Sequence, residues 1–87
     1  MQSQELLTAL LELAESVGLE VRTEYLGGDG GGLCILRGKR ILFVDSAADS
    51  AEQIAHTAQA LAGQPEVATM YVLPQVREEL DKYKAET

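Results

Sequence analysis

The sequence predicts an α+β fold, with elements in the order α-β-β-β-α-(β)-α and a mainly antiparallel three- or four-stranded sheet packed by helices. Three observations carry this. Apolar residues recur at helical spacing over residues 6–17, alternate strictly over residues 19–25, and form two four-residue runs, Leu33–Leu36 and Ile41–Val44, around a turn signal. At 87 residues, 46% hydrophobic and 24% charged, the chain reads as a single domain, residues 1–87. Surface scaling leaves roughly 63% of the unfolded area buried, enough for one core and too little for two.

The first element is a helix. At about 100° per residue, Leu6, Leu7, Leu10, Leu11, Leu13, Ala14 and Val17 fall within an arc of roughly 160°. Ser3 is the expected N-cap, and Gly18 stands where a left-handed residue would end the helix, with Leu19 folding back on it. So wide an arc exceeds what one sheet covers, which implies a second neighbour: the C-terminal helix or another subunit.

Strand alternation follows. Leu19, Val21, Thr23 and Tyr25 point one way, Glu20, Arg22 and Glu24 the other, as in an antiparallel strand with one wet face. Residues 27–32 then hold five of the eight glycines. Two short strands, Leu33–Arg37 and Arg40–Asp45, come next, joined by Gly38-Lys39, a pair suited to a type II′ turn. In that register Leu36 faces Ile41, Ile35 faces Leu42, Cys34 faces Phe43 and Leu33 faces Val44. Both faces of the hairpin are therefore apolar, and helices on one side cover only one of them.

Asp49, with Glu52 three residues on, caps a second helix whose inner face is Ala51, Ile54, Ala58, Leu61 and Ala62; Gly63 and Pro65 end it. Residues 67–73 (VATMYVL) suit either a strand or a buried extended linker. Pro74 opens a short last helix with Val76, Leu80 and Tyr83 along one stripe.

Composition narrows the function. Seven Lys and Arg against fourteen Asp and Glu give a net charge of −7, which disfavours nucleic acid and anionic membrane surfaces, since both are bound through basic residues. No apolar run approaches the ~20 residues of a membrane span, and the acidic start lacks a signal peptide's basic region, so a cytoplasmic protein is expected. One cysteine and one histidine exclude an intrachain disulfide and zinc-finger patterns.

The candidate sites are few. Gly28, Asp29, Gly30 and Gly31, in the Gly27–Gly32 loop, can form a nest of backbone N–H groups for an anion or small molecule, with Arg37 and Arg40 nearby. The loop runs into a strand, so neither the dinucleotide fingerprint nor the P-loop is met and no cofactor is expected. Cys34 reads as a small core residue against Phe43, and His56, about 200° round the helix from Ile54, as solvent-facing. Glu20, Arg22 and Glu24 are expected to form cross-strand ion pairs with Arg37 and Arg40. Asp45 and Asp49 have no third ligand spaced to join them, and no metal is expected. Without a nucleophile–base pair, an enzyme ranks behind the other readings.

The run LGGDGGGLCILRGKRILFVD, Leu26 to Asp45, with Leu73-Pro74 and Val76-Arg77 later, resembles short bacterial proteins of about this size that have no known activity. The resemblance implies a bacterial source and carries over no catalytic residue. The leading expectation is an association module acting as a homodimer, with room for a further protein partner, through the Leu33–Val44 hairpin or the Leu6–Val17 helix. The alternative is a ligand-binding module built on the Gly27–Gly32 loop.

Overall fold

The computed structural model describes residues 1–28 and 30–84. Helix α1 spans Ser3–Ser16, strand β1 Glu20–Glu24, β2 Gly32–Leu36, β3 Lys39–Asp45, helix α2 Ser50–Ala62, a 3-10 helix Pro65–Thr69, and helix α3 Pro74–Asp81. The α+β class and the element order follow the sequence reading.

The helix ends are set by local chemistry. Gln2, not Ser3, occupies the α1 cap, and its N–H donates to Glu5 Oε1 at 3.3 Å. At the other end Gly18 has φ +93°, and the N–H groups of Gly18 and Leu19 donate to the carbonyls of Glu15 and Ala14. That is a Schellman closure, and it folds Leu19 into the core. Asp49 caps α2 by accepting from the Glu52 N–H at 2.8 Å. Of the expected inner face, Ile54, Ala58 and Leu61 are buried, Ala51 is exposed, and Thr57 is buried in its place.

The three-stranded sheet has the order β1-β3-β2. β2 and β3 are antiparallel, but β1 and β3 run parallel, with Val21 opposite Leu42 and Thr23 opposite Val44. The expectation of a mainly antiparallel sheet therefore needs correction. From the end of β1 the chain steps past one strand position before returning as β2, and β3 fills the vacated place between them. Alternation records which face of a strand is wet, and says nothing of the direction of its neighbour.

The hairpin also departs from its expected register. The loop is Arg37-Gly38, both with positive φ (52° and 80°), a type I′ turn in place of the II′ expected at Gly38-Lys39. Leu36 faces Lys39, Ile35 faces Arg40, Cys34 faces Ile41 and Leu33 faces Leu42. The expected register would have set Arg37 opposite Arg40, two like charges in contact distance; moving Arg37 into the turn avoids this. The slip is two residues, so every side chain keeps its face. Arg37 holds a left-handed conformation that asparagine tolerates better than arginine. Arg37→Asn should raise stability by about 0.5 kcal/mol, read as a higher denaturant midpoint at unchanged slope.

α1 packs on β1 and α2, α2 on β2 and β3, and α3 closes against both long helices. The core joins Leu7, Leu10, Ala14 and Val17 of α1 to Leu42 of β3, Ile54, Ala58 and Leu61 of α2, and Val76 and Leu80 of α3, with Tyr83 packed at its border. The wide apolar arc of α1 is thus met within the chain, by α2 and α3. Residues 67–73 form a linker: Val67 is buried in the 3-10 helix, and Arg77 Nη2 donates to the carbonyls of Val67 and Met70 at 3.3 and 3.4 Å.

The other face of the sheet carries no helix among the described residues. Alternation places Glu20, Arg22 and Glu24, Ile41 and Phe43, and Cys34 and Leu36 on it. Ile41 is nonetheless only 2% exposed. No helix of the described residues is long and apolar enough to cross a membrane.

Candidate functional site

The glycine loop is a nest, and the carboxylate of Asp45 occupies it. β3 ends at Asp45 directly beneath the chain's crossing from β1 to β2. Its Oδ1 accepts from the N–H groups of Leu26 (3.0 Å) and Ala47 (2.9 Å), and its Oδ2 from Gly30 N–H at 3.1 Å. Asp45 is 1% exposed. Burial pushes its carboxyl pKa up, but the amides of Ala47, Leu26, Gly30 and Gly28 outweigh burial and hold it below the usual carboxylate value. Its main-chain carbonyl accepts from Gln53 Nε2 at 2.9 Å, so α2 is tied to the same point.

His56 is part of this assembly. It is half-buried, not solvent-facing as expected, and its Nδ1 accepts from Gly31 N–H at 3.1 Å. With Nδ1 an acceptor, the ring proton of the neutral imidazole sits on Nε2. The ring lies over Gly30 so closely that a Cβ there would stand 2.1 Å from Cε1. At Gly31 a Cβ would lie 2.0 Å from the Phe43 carbonyl oxygen. Contact with the β3 backbone requires glycine at Gly31 and the His56 ring requires it at Gly30, whereas Gly27, Gly28 and Gly32 have open space around them and a positive φ.

Arg37 and Arg40 do not join the loop. β2 begins at Gly32, beside the loop, and ends at Leu36, beside the hairpin tip, so about 13 Å of strand separates the two ends. Arg37 is exposed at the tip. Arg40 is a clamp: Nη1 donates to Gln64 Oε1 (2.6 Å) and Glu66 Oε1 (3.1 Å), and Nη2 to Glu66 Oε2 (2.8 Å) and the Val17 carbonyl (2.8 Å). It ties the end of α1 and the segment after α2 to β3. The Glu66 hydrogen bond raises the Arg40 pKa, and the Arg40 hydrogen bond lowers that of Glu66. The expected cross-strand ion pairs are replaced by a contact within β1, Arg22 to Glu20, and by this clamp. Asp29 lies outside the described residues; Gly28 is exposed with open space around it.

Cys34 is exposed on the helix-free face, correcting its placement in the core. α2 carries His56 on the opposite face, so the two do not form a thiol–imidazole pair. Among the described residues no three His, Cys, Asp or Glu side chains are grouped to hold a metal ion.

The remaining candidate is the outer edge of β2, which pairs with no further strand among the described residues. Cys34, Ile35 and Leu36 are exposed in succession, Ile35 at 67% and Leu36 at 55%. The strand Gly32–Leu36 contains no charge. The other edge, β1, carries Glu20, Arg22 and Glu24, the kind of charged edge that resists pairing. No protein-family model, no curated protein and no solved structure matches the chain.

Proposed function

We propose that the protein is an association module that acts as a homodimer. The observation that supports this reading is the run Cys34-Ile35-Leu36 on an edge strand: exposed, apolar and uncharged on both sheet faces. The Leu6–Val17 helix, the other candidate interface, has its apolar arc engaged by α2 and α3. The hairpin is therefore the surface on which the reading rests. The ligand-binding alternative has less support, because the amides of Gly30 and Gly31 already donate to Asp45 and His56.

Native mass spectrometry of protein taken straight from its expression host is expected to show a dimer without adduct at micromolar concentration. A monomer carrying a discrete extra mass would overturn the proposal and favour the Gly27–Gly32 loop.

A further inference from the structure

We infer that two copies join through β2 in one antiparallel register, centred on Cys34, making a continuous six-stranded sheet. The inference rests on the homodimer reading and specifies its interface. In a two-residue hairpin the flanking pair, here Leu36 and Lys39, exchanges the hydrogen bonds nearest the turn. Leu36, Cys34 and Gly32 therefore turn their main-chain groups towards β3, and Leu33 and Ile35 turn theirs outward, away from any strand among the described residues.

An antiparallel two-fold satisfies all of these. Leu33 pairs with Ile35 of the second copy and Ile35 with its Leu33, while Cys34 meets Cys34 at a non-hydrogen-bonded position. This register uses all of Gly32–Leu36; sliding by two residues in either direction leaves part of the strand unpaired.

Side chains and charge agree with the same register. Leu33 lies on the helix side, next to a shallow recess between β2 and α2 lined by Gly31, Gly32, Leu33, His56, Gln59 and Ala60. Ile35 of the second copy, opposite Leu33 and on the same face, is the side chain that reaches this recess, and the two-fold fills both recesses alike. The sheet is also polar end to end. The tip carries the exposed Arg37 and Lys39, while β1 finishes at the far end in the exposed Glu24. The acids nearer the tip, Glu20 and Glu66, are already paired with Arg22 and Arg40. Antiparallel pairing sets the basic end of one copy beside the acidic end of the other, which eases association between chains of net charge −7.

The test is disulfide trapping of the full chain with oxidised glutathione. In a non-hydrogen-bonded antiparallel pair the Cα atoms stand about 4.5 Å apart, inside the range a disulfide spans. Thiolate attack on glutathione disulfide releases one glutathione and leaves a mixed disulfide. The Cys34 thiolate of the second copy then displaces the other, so two thiols are oxidised and two glutathiones released. Cys34 is expected to give a covalent dimer. Cys34→Ser combined with Leu36→Cys should give none, since those thiols lie about 13 Å apart along the strand. Ile35→Lys, at an exposed position that leaves the monomer fold intact, should abolish Cys34 trapping. A dimer by native mass spectrometry that traps through residue 33 or 35, and not through Cys34, would overturn the register and leave the homodimer standing. A monomer would overturn both.

Discussion

Gly31→Ala is expected to destabilise the protein by about 3 kcal/mol, a large share of the ~5–10 kcal/mol that holds a domain of this size together. The added Cβ would sit 2.0 Å from the Phe43 carbonyl oxygen, 2.7 Å from its carbon and 3.3 Å from Val44 Cα. None of these atoms belongs to a side chain that can swing aside. Phe43 is in the central strand, opposite Arg22 of β1 and Gly32 of β2, so moving its carbonyl breaks pairing on both sides. The neighbouring glycines set the scale. At Gly30 the obstacle is the His56 ring, a side chain that can rotate at the expense of its bond to Gly31. At Gly28 nothing lies within 4 Å, and only its φ of +84° resists a Cβ, worth about 1 kcal/mol. Urea unfolding should therefore rank alanine substitutions 31 over 30 over 28, with slopes unchanged. A Gly31→Ala midpoint equal to that of Gly28→Ala would mean that the loop does not cross β3 as described.

What makes Gly31 irreplaceable is also what the sequence could not disclose. The helices were legible because their signals are local: the Gly18 closure, the Asp49 cap with Glu52 a turn later, Pro74 at the start of α3. The alternation of β1 correctly assigned Leu19 and Val21 inward and Glu20 outward, yet the strand's direction depends on where the chain returns, ten or more residues on. A glycine run signals close backbone approach without saying to what. At Gly31 it is β3, and the nest amides meet an anion 19 residues from Leu26, the chain's own Asp45. An apolar strand that ends in aspartate after a glycine loop is the signal that could have joined the two.

His56 and Cys34 were misplaced for a related reason. A helical wheel measures direction from one neighbour, the core, whereas α2 extends far enough for its flank to meet the loop. Periodicity likewise cannot tell an edge strand from a central one. Cys34 in the middle of the sheet would be the core residue it resembles; at the edge it is exposed. The same difference leaves Ile35 and Leu36, one on each apolar face of the hairpin, exposed at 67% and 55%.

The second large effect is expected at Asp45. Asp45→Asn keeps the shape but turns an NH2 group towards one of the amides of Leu26, Gly30 or Ala47 that now donate to a carboxylate oxygen, leaving two donors face to face in a buried place. The crossing from β1 to β2 should loosen. The amide protons of Leu26, Gly30 and Ala47 should lose exchange protection, and the thermal transition should drop further than for Asp49→Asn at the exposed α2 cap. Acid titration separates the charge from the shape. The folded-state pKa of Asp45 lies below its ordinary value, so the carboxylate's contribution is present in full above the unfolded value of about 3.9 and is lost as pH falls through the folded one. The stability gap between wild type and Asp45→Asn should be constant above about pH 5 and narrow below about pH 4. Glu66, lowered by Arg40, titrates in the same direction but is present in both proteins and cancels in the difference. A gap that held constant down to acid unfolding would mean that the nest does not hold a carboxylate.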